Sequence, residues 1–266
     1  MTPAFAYKSN KENIDLVKYT KSIRFTSNGF TISIHNDEIN DLYLVNYYEL
    51  PSSLSEKEKV NAICDLNKNV GINCNKNLFY FYSRINTQIP KDFYEKESDE
   101  AILSLLTPES NTSSLLSEWI DKYEFYNLSV WNTSLLSMIR ELFPDFTVKT
   151  CITSLFNVLY ASNESEKKVV LFVENMHFTI LAADKTHFLG ANGFNFFNEA
   201  DFLYFTVNFI RKIFVQSDDV HILMGGNIEE RSPIFLSIKK YFKQTTVFQN
   251  THSFEIENNH YFCDLF

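Results

Sequence analysis

The sequence predicts an α/β protein built as two similar lobes, each with a mixed five-stranded sheet and helices on its faces. The first observation is that a three-strand meander, followed by alternating helices and strands, occurs once in each half of the chain. The second is a polar run, SNESEKK at 162–168, after which the order of elements restarts. The third is Asn28-Gly29 between two alternating runs, the strongest local signal for a β-hairpin. We therefore assign residues 1–145 to an N-terminal lobe and 146–266 to a C-terminal lobe.

The elements of the first half are predicted from alternation, capping and helical spacing. Residues 1–20 are polar and lack a clear period, so they form a loose arm or a short edge element. KSIRFTSNGFTISIHN (21–36) alternates on both sides of its turn and forms a hairpin. Ser53 or Ser55 caps the first helix, because a serine oxygen accepts a helical N–H that has no other partner. The elements that follow the hairpin are a strand (41–50), a helix (53–69), a strand (77–85), a helix (97–107), a strand (123–132), a helix that begins at 133 and is stopped at Pro144, a short strand (145–150) and a helix (151–161).

The second half repeats this order. VVLFVEN and HFTILAAD form two strands around a turn, and THFLGANGF forms a third. A long helix then begins at Asn198, with the apolar stripe Phe202, Phe205, Phe209 and Ile213 facing the core. The remaining elements are a strand (220–226), a helix (228–242) and a strand (245–250). In each lobe the second strand is predicted to be antiparallel to its neighbours, because a tight turn permits no other orientation.

Composition excludes several classes of function. The formal net charge is −9, whereas a protein that binds nucleic acid carries a basic patch and anionic lipid attracts basic segments. No stretch approaches about 18 consecutive apolar residues, and the N-terminus lacks the apolar core of a signal peptide. We therefore expect a cytoplasmic protein with no nucleic-acid partner and no membrane insertion. Four cysteines without paired spacing are interpreted as free thiols: Cys64, Cys74, Cys151 and Cys263.

Several stretches resemble known proteins. The duplicated order of elements is similar to the actin-like ATPase fold, in which each lobe is ribonuclease H-like. VVLFVENMHFTILAADKTHFLGANGF, and DFTVKTCITSLFNVLYA before it, resemble the start of the second lobe in actin-like pilus-assembly proteins. SIRFTSNGFTISI, RINTQIPKDFY and HILMGGNI resemble the bacterial family known as domain of unknown function 3822. The resemblance covers about residues 12–264, and the family name implies no activity.

The resemblance to actin-like ATPases implies a nucleotide cleft with three parts. A Gly-Gly pair after a strand of the second lobe lets the backbone approach the adenosine, and Gly225-Gly226 stands at that position. The first hairpin of each lobe normally carries Asp-x-Gly, whose carboxylate holds Mg²⁺ and whose N–H groups contact phosphate. Here Thr26 and Ser27 stand where the first aspartate is needed, and Glu174 takes the place of the second without a following glycine.

These departures imply no catalytic residue. The candidate cofactor-binding residues are Gly225, Gly226 and Glu174, as a residual nucleotide cleft. The expectation is that no cofactor binds, and ATP with Mg²⁺ is the alternative. If the two glycines only end a strand, at least one of them has a positive φ or packs tightly against neighbouring backbone.

Two weaker candidate sites have ordinary structural alternatives, which we favour. His177 and His187 flank a predicted hairpin and, with Glu174, form a candidate metal site. The alternative is ordinary strand histidines, because no metal-binding motif accompanies them. An anion can bind at the helix N-terminus near Asn198, and the alternative is that Asn198 is simply a helix cap.

The leading hypothesis is a non-catalytic binding or scaffold module of the actin-like fold, with an unidentified protein partner. The first alternative is a nucleotide-binding adaptor that does not turn ATP over. The second is an active ATPase or kinase-like enzyme of the same superfamily. The sequence names neither a substrate nor a partner.

Overall fold

A computed structural model describes residues 2–12, 14–26, 28–39, 41–161, 167–214 and 219–248. These residues form two large mixed sheets, a small antiparallel sheet and six α-helices. The strands are β1 (Phe5–Lys8), β2 (Thr20–Thr26), β3 (Gly29–Asn36), β4 (Asp41–Glu49), β5 (Lys76–Phe81), β6 (Asn86–Pro90), β7 (Ser113–Ile120), β8 (Phe125–Asn132), β9 (Thr147–Thr150), β10 (Lys167–Glu174), β11 (His177–Asp184), β12 (Phe188–Asn195), β13 (His221–Gly226) and β14 (Thr245–Val247). The helices are α1 (Glu56–Val70), α2 (Asp99–Leu106), α3 (Thr133–Leu142), α4 (Cys151–Ala161), α5 (Glu199–Ile213) and α6 (Pro233–Tyr241).

The first sheet has the strand order β1-β4-β3-β2-β5-β9. Strands β2, β3 and β4 form an antiparallel meander, β5 runs parallel to β2, and β9 runs parallel to β5. The sheet has six strands instead of the predicted five because β1 pairs with the outer edge of β4. Of the two alternatives for the N-terminal residues, the edge element is therefore correct.

The second sheet repeats the core of the first, with the order β12-β11-β10-β13-β14. Strands β10, β11 and β12 form the antiparallel meander, and β13 and β14 are parallel additions. The predicted orientation of the second strand of each meander, β3 and β11, is confirmed. Helix α6 begins at Pro233 and not at the predicted Ile228. The reason is that Ser232 caps it by accepting the Phe235 N–H at 3.3 Å, with proline in the first turn.

A third, three-stranded sheet lies between β5 and β9 in the chain and was not predicted. Its order is β6-β8-β7, and all pairs are antiparallel. The strand predicted at 123–132 exists as β8 but belongs to this small sheet, and β7 was not predicted at all. Strand β9, which the predicted boundary at residue 145 assigns to the C-terminal lobe, takes the outer place in the first sheet beside β5. Alternation identifies a strand but not its pairing partner, which explains the error.

Three apolar cores hold these layers together. Helices α1 and α3 cover one face of the first sheet, and α5 and α6 cover the outer face of the second. Helix α4 lies between the sheets, where its Leu155 and Phe156 pack with Tyr80 of the first sheet and Phe172 of the second. In the predicted stripe of α5, Phe202 is buried, and Phe205, Phe209 and Ile213 pack against the same core.

A buried glutamate joins the small sheet to α4. Glu118, on β7, accepts hydrogen bonds from the Thr150 backbone N–H at 3.0 Å and the Thr153 hydroxyl at 2.8 Å, and also from the Thr150 hydroxyl. These donors lie at the start of α4, where helical N–H groups have no intrahelical partner. Burial raises the pKa of Glu118, and the hydrogen bonds oppose that rise.

This raised pKa gives a pH-dependent prediction for Glu118→Gln. Ionisation of Glu118 disfavours the folded state as the pH rises through its folded-state pKa, and glutamine cannot ionise. As the pH rises from the ordinary titration range of a glutamate towards the raised folded-state pKa, we therefore expect the free energy of unfolding of the variant to improve steadily relative to wild type. Urea unfolding of both proteins at matched pH measures this difference. A difference that stays constant across the range would contradict the prediction.

Candidate binding site between the lobes

The first hairpins of the two lobes face each other and are joined by direct side-chain contacts. The Arg24 guanidinium donates to the Glu174 carboxylate, with 3.4 Å between Nη1 and Oε1. The Asn28 side-chain amide donates to the side-chain oxygen of Asn175 at 2.8 Å. Both contacts join residues about 150 positions apart in the chain. These are the two hairpins at which the resemblance to actin-like ATPases predicts the phosphate loops.

The Arg24–Glu174 pair is nearly inaccessible to solvent. The two side chains are only 6% and 12% exposed, respectively. Burial raises the pKa of Glu174, and the charges of Arg24 and Arg84 oppose that rise. The Glu174 carboxylate is thus held by the guanidinium group of Arg24. Among the described residues, no cluster of three or more histidine, cysteine, aspartate or glutamate side chains is arranged to hold a metal ion.

In the first hairpin, the Thr26 side chain forms a hydrogen bond within its own turn. The Thr26 hydroxyl donates to the Gly29 carbonyl at 3.1 Å, which closes the turn. Ser27, the other residue at the expected aspartate position, lies outside the described residues. A threonine engaged in its own turn supplies no carboxylate for a metal ion.

The two adjacent glycines are both required by close packing. Gly226 has φ +83°, and a Cβ at this position would lie 2.1 Å from the carbonyl oxygen of Val173 on the neighbouring strand. A Cβ at Gly225 would lie 2.0 Å from the ring of Phe248, which is itself buried. The predicted positive φ is therefore present at Gly226. The Phe248 ring also lies nearly parallel to that of Phe172, with centroids 6.3 Å apart, and it covers Gly225.

The structure separates the histidines of the candidate metal site. His177 begins β11, whereas His187 follows the other end of that strand and hydrogen-bonds Thr186. Eight residues of extended strand span about 25 Å, so the two rings do not approach each other and cannot share a metal ion with Glu174. The cap alternative at α5 is confirmed, because the Asn198 side chain accepts the Asp201 N–H at 3.0 Å.

A pocket of about 280 Å³ opens beside Glu174. It is on the β12 side of the β10–β11 hairpin, whereas Gly225 and Gly226 are on the β13 side. Its wall includes His177, whose Nδ1 is 3.0 Å from the Asn195 side-chain oxygen and whose pKa burial lowers. The residues that line the pocket are Tyr82, Arg84, Glu174, Asn175, Met176, His177, Asn195 and Phe197.

Of the three candidate cofactor-binding residues, only Glu174 lines this pocket. Arg24, Arg84 and Phe248 were not singled out from the sequence. Arg24 had a recognisable signal, because it lies between the apolar residues Ile23 and Phe25 in a strand that is buried from Thr20 to Phe25. An arginine in the middle of a buried strand requires a charged partner. Arg84 and Phe248 have no such local signal.

Two mixed sheets with a repeated meander and parallel additions, joined by a buried helix, define the actin-like ATPase fold. The sequence model of a family described as protein of unknown function (DUF3822) matches residues 8–245, and the chain belongs to that family. Among curated proteins, no sequence match is found. Within the described residues, no helix combines the length and the hydropathy needed to cross a membrane.

Solved structures share the fold at low sequence identity. A Bacteroides thetaiotaomicron VPI-5482 protein with an actin-like ATPase fold and unknown function has 18% identity and a TM-score of 0.80, over 95% of this chain and 98% of that one. A chain of the PilM–PilN type IV pilus biogenesis complex has 10% identity and a TM-score of 0.57, over 86% of this chain and 88% of that one. The ethanolamine utilization protein EutJ from Carboxydothermus hydrogenoformans has 6% identity and a TM-score of 0.50, over 86% and 84%.

Proposed function

We propose that this protein is a non-catalytic binding module of the actin-like fold, which acts by holding a protein partner and not by hydrolysing ATP. The observation that carries the proposal is the direct contact between the two hairpins, made by the Arg24–Glu174 ion pair and the Asn28–Asn175 hydrogen bond. A triphosphate between the hairpins would have to break both contacts. It would also have to approach Glu174, a carboxylate that repels phosphate when ionised.

The chemistry of phosphoryl transfer supports the same proposal. Such enzymes work almost entirely by positioning the nucleotide and stabilising charge, for which a carboxylate-bound Mg²⁺ is central. Here Thr26 closes its own turn, Glu174 binds arginine, and the Phe248 ring covers Gly225. Both phosphate loops are accordingly degenerate in this proposal, and the active ATPase or kinase-like alternative has no metal anchor.

A protein partner is the class of ligand that fits best. The net charge of −9 disfavours nucleic acid and anionic lipid. The solved PilM–PilN complex is an example of this fold in a protein–protein assembly. The proposed location is the cytoplasm, where the three described cysteines remain the free thiols they are here. The nucleotide-binding adaptor is the alternative, because the resemblance to actin-like ATPases assigns Glu174 and the two glycines to positions that contact nucleotide.

Thermal unfolding with and without Mg-ATP tests the proposal. A nucleotide at about 100 times its Kd would stabilise the folded state by about 2.7 kcal/mol, which raises the Tm by several degrees. We expect no rise at millimolar Mg-ATP and no ATP turnover above background. Two results would overturn the proposal. One is a Tm rise with Mg-ATP, and the other is a turnover that copurifies with the protein and disappears in Glu174→Gln.

A further inference from the structure

The pocket beside Glu174 is lined by one guanidinium group, that of Arg84, and one carboxylate, that of Glu174. Two guanidinium groups, from Arg24 and Arg84, act on the single carboxylate of Glu174. The neighbouring His177 is uncharged at neutral pH, because burial lowers its pKa and the Arg84 charge lowers it further. Tyr82 is uncharged as well, because burial raises its pKa. Because the Glu174 carboxylate is already paired with Arg24, the Arg84 charge has no counter-ion of its own among the residues that line the pocket.

Arg84 is the group available to bind that charge. Arg24 already forms the ion pair with Glu174, whereas the guanidinium of Arg84 makes no hydrogen bond or ion pair to any residue in the described part of the chain. Arg84 is exposed and lines the pocket. A guanidinium binds a carboxylate through two parallel N–H donors, which gives both attraction and orientation.

Two large apolar side chains flank the pocket on its solvent side. Met176 is 52% exposed and Phe197 is 79% exposed, and both line the pocket. The Phe197 backbone is held in place, because its N–H donates to the Asp201 carboxylate at 3.1 Å. Exposed aromatic and methionine side chains beside an arginine are typical of the centre of a protein interface.

We propose that this pocket binds the carboxylate side chain of a glutamate or aspartate in an extended segment of a partner protein. Its neighbouring apolar residues would contact Met176 and Phe197. The volume of about 280 Å³ suits one side chain and not a large ligand. A ligand that extends past the mouth is required to cover the two exposed side chains, which favours a protein segment over a free organic acid. This inference rests on the proposed function, namely that the partner is a protein.

The methionine methyl groups provide the measurement. The chain has four methionines, so ¹³C-methyl labelling gives few, separable signals. Met176 reports on the pocket, while Met224, buried beside Gly225, and Met138 of the first core are internal controls. The probes are the blocked tripeptide acetyl-Leu-Glu-Leu-amide, its uncharged counterpart acetyl-Leu-Gln-Leu-amide, and glutarate as a free acid.

We expect the glutamate peptide to shift the Met176 signal saturably and to bind at least tenfold more tightly than the glutamine peptide or glutarate. Arg84→Gln should weaken this binding at least tenfold. Arg211→Gln, an exposed arginine on α5 away from the pocket, should leave it unchanged. Unchanged signals of Met138 and Met224 in both variants verify that each remains folded.

Three results would show that the pocket is not a carboxylate site: no saturable shift, equal binding of the two peptides, or full binding by Arg84→Gln. If glutarate binds as tightly as the peptide, the ligand is a small acid and the assignment to a partner protein is wrong. A Mg-ATP titration of the same sample separates this inference from the proposed function. A Met224 shift or a Tm rise with Mg-ATP contradicts the proposed function, whereas failure of the peptide alone contradicts only the carboxylate pocket.

Discussion

Replacing Gly226 with alanine is expected to lower the free energy of unfolding by about 2–4 kcal/mol. Two costs add at this position. Alanine at φ +83° occupies the left-handed region, at a cost of about 1 kcal/mol or more. The new Cβ would also lie 2.1 Å from the Val173 carbonyl oxygen and 2.9 Å from the Val173 nitrogen. These are backbone atoms of a paired strand, so they cannot move aside as a flexible side chain would.

Gly71→Ala is the matched control for this prediction. Gly71 ends α1 with φ +63°, but the nearest atoms to its added Cβ are 3.8 Å away. Alanine at position 71 therefore has the cost of the left-handed backbone without a clash, and we expect the free energy of unfolding to fall by about 1 kcal/mol. Urea unfolding of both variants gives the comparison. Equal losses would mean that the close approach of β10 to β13 does not determine the need for glycine at 226.

The close approach also separates the two interpretations of the glycine pair. A glycine required only for a ligand would tolerate alanine in the free protein, because the added methyl group would project into an empty site. Here Gly226 adjoins backbone, and Gly225 adjoins the buried Phe248 ring. Contacts within the folded protein are thus sufficient to explain why both positions need glycine. This supports the proposal that the glycines preserve the fold after loss of nucleotide binding.

Local patterns predict much of this fold. The turn at Asn28-Gly29, the cap at Asn198 and the alternation of β10 and β11 each depend on residues close together in the chain, and all are present. The small sheet was missed because a local pattern does not show which strands pair with each other. Strand β8 alternates as well as any strand of the first sheet, yet it pairs with β6 and β7.

The candidate site was harder to predict because its contacts are made between distant residues. The sequence identified Glu174 as a candidate site residue, but its ion-pair partner Arg24 lies 150 residues away in the chain. Similarly, the ring that covers Gly225 comes from Phe248, beyond the last helix. No periodicity connects such pairs. Only the duplicated fold, which brings the two hairpins together, explains why they meet.

The buried pair gives the second large prediction. We expect Arg24→Met to lower the free energy of unfolding by about 3–5 kcal/mol at neutral pH, because it leaves a buried carboxylate without its main partner. The pKa of Glu174 is already raised by burial and would rise further without Arg24. The stability that such a group contributes to the folded state is lost as the pH rises through its raised folded-state pKa. The deficit relative to wild type should therefore increase with pH in urea unfolding experiments.

The double variant Arg24→Met/Glu174→Gln distinguishes charge from packing. If the loss in Arg24→Met arises from the unpaired charge, neutralising Glu174 should restore most of the stability, since replacing both members of a buried pair is often nearly neutral. It should also remove the added pH dependence of the single variant. A double variant as unstable as Arg24→Met would mean that the packing of the arginine stem, near the Phe172 ring, dominates. In that case the ion pair would contribute little to joining the two hairpins. The hydrogen bond between Asn28 and Asn175 would then be a polar contact that still joins them.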